Sequence, residues 1–177
     1  HALDTSQVEL KLIVKATSMC LTEKEVYTHE VLGNVMQHLI DMTPLPTLLM
    51  RTVIQSHTLY PRLSGFITNL LHRMIVKQVW KNKLIWDGFV KCCQRLQPAS
   101  MGVLIQLPVA QLQDALNICP DLKSPLLEYA QEMNKHQSSN VSKQALDLLL
   151  LGTTTGEGSS GSKETKDLKD QDEPDAP

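Results

Sequence analysis

The residues best equipped for chemistry are six histidines and four cysteines, and their spacing argues against most of it. His1, His29, His38, His57, His72 and His136 include no pair three or four apart, the spacing that turns two imidazoles to one helix face and one metal ion. Cys20, Cys92, Cys93 and Cys119 contain no C-x-x-C, and the adjacent pair cannot give two ligands to one tetrahedral zinc without backbone strain. No disulfide framework is spaced out, so the thiols are expected to be structural and partly buried, in a reduced intracellular compartment. There is no G-x-S-x-G elbow, no glycine-rich phosphate loop and no acid pair set apart among apolar residues. An enzyme would need Cys92 or Cys93 beside an imidazole, and nothing in the spacing supports that. The expectation is a non-catalytic chain with no metal, cofactor or small-molecule substrate.

One feature asks for a partner. Arg62, Arg73, Lys77, Lys81, Lys83, Lys91 and Arg95 face a single acid, Asp87, so residues 62–95 carry +6. Arg73, Lys77 and Lys81 stand four apart and would form one stripe on a continuous helix, although like charges so spaced cost about 0.2–0.5 kcal/mol per pair. Two interpretations stay open. The stripe is a solvated face whose lysines complement a helix C-terminal dipole, or it docks an acidic protein surface or RNA phosphates. Trp80 and Trp86 would serve RNA as stacking platforms, but each interrupts an apolar pattern at a helix junction and is expected to pack in the core.

The elements that position these residues are helical. The chain has 177 residues, 42% of them hydrophobic and 20% charged, with net charge −2, enough for one domain with a core. No apolar run reaches the roughly 18–20 residues that span a bilayer, so no membrane partner is expected. The first residue is His, which suggests a fragment or a processed chain. Before Gly152 the apolar residues return with helical period. Thr22 and Glu25 spell a capping box, followed by a stripe of Val31, Leu32, Val35, Met36, Leu39 and Ile40, which predicts a helix over 22–42. Thr43-Pro44 reads as the start of a more apolar helix ending at Tyr60-Pro61. Phe66/Ile67, Leu70/Leu71, Met74/Ile75 and Val79 follow, then Ile85, Phe89, Val90, Cys93 and Leu96 beyond an interruption at Asn82. Pro98, Pro108, Pro120 and Pro125 divide the remainder into shorter helices, and a weaker one covers Val141 to Leu151.

Eight or nine helices with short connections predict an all-α fold of successive antiparallel neighbours. A half-polar helix followed by a nearly all-apolar one favours layered pairs, hence an α-solenoid of HEAT-like type, despite the lack of a clean repeat. Residues 1–151 are read as this helical-repeat scaffold domain. From Gly152 onward seven acids and three lysines stand among Gly, Ser and Thr, giving −4 against +2 for the body. Residues 152–177 are read as a disordered acidic, Gly/Ser-rich tail.

Several stretches resemble the symplekin C-terminal family. They are TPLPTLLMRTVIQS from Thr43 to Ser56, YPRL from Tyr60, KQVW from Lys77, WDGFVKCCQR from Trp86, QLP from Gln106, CPDL from Cys119 and PLL from Pro125. They run in the same order over about residues 20–135. The resemblance implies a nuclear helical-repeat scaffold of the pre-mRNA 3'-end cleavage and polyadenylation machinery. Its implied partners are cleavage and polyadenylation specificity factor subunits, the metallo-β-lactamase-type endonuclease and its inactive homologue, with any RNA contact indirect. The family's amino-terminal, phosphatase-recruiting repeats have no counterpart here, and the family brings no catalytic residue.

Overall fold

A computed structural model of the chain describes residues 10–135 and 142–151. Among them are nine α-helices and no strand: α1 (Leu10–Cys20), α2 (His29–Asp41), α3 (Leu49–Leu59), α4 (Ser64–Val76), α5 (Lys83–Arg95), α6 (Met101–Leu104), α7 (Val109–Ile118), α8 (Lys123–Lys135) and α9 (Lys143–Leu151). Short 3-10 turns at Pro61–Leu63, Val79–Lys81 and Pro120–Leu122 tighten three of the joints. No described helix is long and apolar enough to cross a membrane. The tail expected from Gly152 and most of the polar connector before α9 lie outside the described residues.

Contacts between helices fall into two files. One runs α2 to α4 to α6 to α8, the other α3 to α5 to α7 to α9, and α2–α3, α3–α4 and α8–α9 tie the files together. A single apolar core runs along the shared inner side, from Leu21 and Met36 through Ile67, Leu71, Met74, Phe89 and Leu104 to Leu126 and Leu149. The paired positions at 66/67, 70/71 and 74/75 behave as their spacing predicts: Ile67, Leu70, Leu71 and Met74 are buried, with Phe66 and Ile75 packed at the edge.

Local chemistry decides where the helices begin, and three expected starts move. No capping box forms at Thr22, whose hydroxyl donates back to the Met19 carbonyl (2.6 Å) and so closes α1. Residues 21–27 turn, and the Tyr60 hydroxyl pins them by donating to the Tyr27 carbonyl (3.1 Å). Thr28 is the real cap, accepting from the Val31 amide at 3.4 Å, so α2 starts seven residues later than the Thr22/Glu25 pattern suggests. The stripe also narrows. Leu32, Met36, Leu39 and Ile40 are buried, while Val31 and Val35 face outward because α3 and α4 cover only one side of α2.

The Thr43-Pro44 start fails for a steric reason. Proline biases the residue before it away from the α region, and Pro44 with Pro46 puts that bias on both Thr43 and Leu45, whereas the single Pro125 leaves Ser124 helical in α8. The Thr43-Pro44 bond is cis, and α3 begins at Leu49. Pro125 marks no boundary either, since it sits in the first turn of α8, where its missing amide costs nothing. Asn82 does more than interrupt: its side chain accepts from the Ile85 amide (3.3 Å) and caps α5.

Candidate functional site: the basic residues and the groove between α3 and α5

The seven cations singled out by charge do not form one surface. Helix α4 ends at Val76, Lys77 is its C-cap, and Gln78 takes a left-handed backbone conformation (φ 54°) that turns the chain into the next 3-10 segment. Lys81 therefore does not continue the line of Arg73 and Lys77, and the predicted three-residue stripe is broken.

The first two are also engaged within the fold. Arg73 Nη2 lies 2.6 Å from Asp41 Oδ1, and Lys77 Nζ donates to the Ile40 carbonyl at 2.7 Å. Both act at the C-terminal end of α2, where free carbonyls and the helix dipole favour positive charge. The dipole interpretation thus holds for this pair, but the helix served is α2 rather than α4. A hydrogen bond from Gln37 Nε2 (3.1 Å) holds the Asp41 carboxyl below its ordinary value. Lost solvation opposes this, and the Arg73 charge adds to it. Lys81 and Lys83 are exposed on either side of Asn82, and Arg62 is exposed in the turn before α4.

Lys91 and Arg95 go elsewhere. Both line a groove of about 530 Å³ between α3 and α5, and there they join Arg51, a residue outside the basic run of the sequence. All three are exposed, and none makes an ion pair among the described residues. The groove also takes in Asp87, Ile54 and Leu84, the last 69% exposed. Gln55 lines the same wall: its Nε2 meets Ser18 Oγ at 3.3 Å, and its Oε1 is buried without a partner.

The crossing that makes this groove depends on Gly88. A Cβ there would stand 2.6 Å from Met50 Cβ, so only glycine lets α5 approach α3 so closely. Such a glycine in the middle of an amphipathic helix is the signal that could have located the groove from sequence, because its cost in helix propensity asks for a packing reason. Arg51 carries no such signal. It joins Lys91 and Arg95 only through the tertiary crossing.

The tryptophans pack rather than offer platforms. Trp86 is buried, stacks on Phe89 (5.3 Å, 16°) and donates its indole N–H to Asp114 Oδ2 at 2.6 Å. Trp80 meets Trp86 edge-on at 6.4 Å and is half-buried. Cys92, Cys93 and Cys119 are likewise interior, while Cys20 is half-buried. Burial pushes the Cys92 thiol up to about 12 and Cys93 well above its ordinary value, and Cys119 is raised for the same first reason. These are poor nucleophiles, since the thiolate is the reactive form. Among the described residues no three His, Cys, Asp or Glu side chains gather within reach of one metal ion.

Residues 1–119 match the family model described as symplekin tight junction protein C terminal. The matched range takes in α1 to α7 and the α3–α5 groove, and stops before the third 3-10 turn. No solved structure matches the chain.

Proposed function

The chain belongs to the symplekin C-terminal family, and from that membership we propose that it is a non-catalytic scaffold module of the nuclear pre-mRNA 3'-end cleavage and polyadenylation machinery. Its task is to dock the endonuclease subunit and the inactive homologue of that subunit. The observation that carries this is the pair of helix files. From α2 onward the helices bed on neighbours one or two places along the chain, which supports reading the fold as an α-solenoid with its apolar residues enclosed and its outer faces available to partners.

Affinity capture from nuclear extract with the full chain tests the proposal. The endonuclease subunit and its inactive homologue are the expected captures; recovery of neither would overturn it. Direct RNA contact is the second reading, favoured only by the exposed Lys81 and Lys83. It requires a mobility shift at low salt that weakens steeply as salt rises.

A further inference from the structure

We propose that the α3–α5 groove is a binding site for an acidic peptide segment that also carries aliphatic side chains, presented by a partner protein. The inference rests on the docking reading above for the source of the peptide, and on the groove itself for its chemistry.

Three features of the groove agree on that ligand. Arg51, Lys91 and Arg95 put three exposed, unpaired cations on its walls against one acid, Asp87, a field that attracts carboxylates. Ile54, Met50 and Leu84 put aliphatic surface between those charges, and Leu84 is far more exposed than an ordinary helix leucine. The volume, about 530 Å³, lies within the range that encloses small ligands or a few side chains of a longer segment.

The same features count against a nucleic acid strand. A phosphate backbone gains from the cations as a carboxylate does, but its bases find no aromatic ring among the lining residues to stack on. Alternating carboxylates and leucines answer each element of the groove in turn.

The test uses the full chain and a fluorescein-labelled peptide of repeated Glu-Leu-Asp triplets, titrated at low salt. Saturable binding is expected, weakened about tenfold or more by the triple substitution R51E/K91E/R95E and several-fold by Leu84→Ser. The control K135E, a charge reversal at an exposed lysine of α8 away from the groove, should bind as the wild type does. All variants change exposed side chains, and circular dichroism checks that they fold. Equal binding by the triple variant, or no binding by the wild type, would overturn the proposal. Tighter binding of oligouridylate through the same three cations would also overturn it, as would a dimer that the triple substitution dissociates. Capture from nuclear extract separates this inference from the scaffold reading. If the triple variant recovers the endonuclease subunits as the wild type does, the groove proposal falls and the scaffold stands. If the wild type recovers neither, the scaffold reading falls and the peptide titration decides the groove.

Discussion

Gly88 of α5 rests against Met50 of α3 at a separation that leaves no room for a methyl group, since a Cβ at Gly88 would fall 2.6 Å from Met50 Cβ. Both atoms sit close to backbone, so neither can swing away. Gly88→Ala should therefore lower stability by about 1–2 kcal/mol, the overpacking loss exceeding the gain in helix propensity. Gly33 on α2 meets nothing within 4 Å, and Gly33→Ala should instead raise stability by up to about 1 kcal/mol. Urea denaturation of the two variants measures both. Equal shifts of the same sign would show that the crossing is not tight.

The core file makes a larger demand. Leu70 is 2% exposed, and Leu70→Ala should cost roughly 2–5 kcal/mol. A loss within about 0.5 kcal/mol would place that side chain at the surface instead.

Trp86 offers an optical probe of the α5–α7 contact. Its indole N–H is bonded to Asp114 Oδ2, and Asp114→Ala leaves that donor without its partner. A stability loss of about 1–2 kcal/mol is expected, with a change in tryptophan emission. An unchanged spectrum would mean the bond does not form in solution.

The thiols predict a pH response with a definite sign. The Cys92 proton is held to about pH 12 in the folded chain, against an ordinary value of 9.0. Above pH 9 the unfolded state sheds a proton that the folded state keeps, so stability is present below that pH and declines as pH rises toward 12. Cys93 works in the same direction. Denaturant midpoints measured across that window should fall, and less so in Cys92→Ala. At neutral pH iodoacetamide should modify Cys20, the half-buried thiol, well before Cys92, Cys93 or Cys119.

Arg73 and Lys77 predict an effect on stability rather than on binding. Charge reversal at either should loosen the end of α2, with a lower melting temperature at low salt and a smaller effect near ~1 M salt, where exposed charges are screened. Capture of partners should be unchanged once the variant is folded.

Helical period was enough to read the fold class and the apolar faces of α4 and α5. The doublets from Phe66 to Ile75 and the row from Ile85 to Leu96 are buried as their spacing implies, because each lies on a helix covered along one whole side. Starts were harder to read. Thr22 and Glu25 satisfy a capping pattern, yet Thr22 closes the previous helix, and which end a hydroxyl serves depends on the turn around it. Proline before α3 was visible, but its effect on Leu45 outweighed the favourable N-terminal position expected for Pro44. The site was the least legible part. Charge along the chain grouped Arg73 with Lys81, while the left-handed Gln78 parts them. Arg51, some forty positions from its companions, reaches them only through the crossing at Gly88.

The two files of helices also bear on how the chain reaches its native state. Since the main contacts join helices close together in sequence, little entropy is lost in closing long loops before the first stable pieces form. Assembly can then begin from pairs of helices that are near neighbours along the chain, whose contacts need only short stretches to be drawn together.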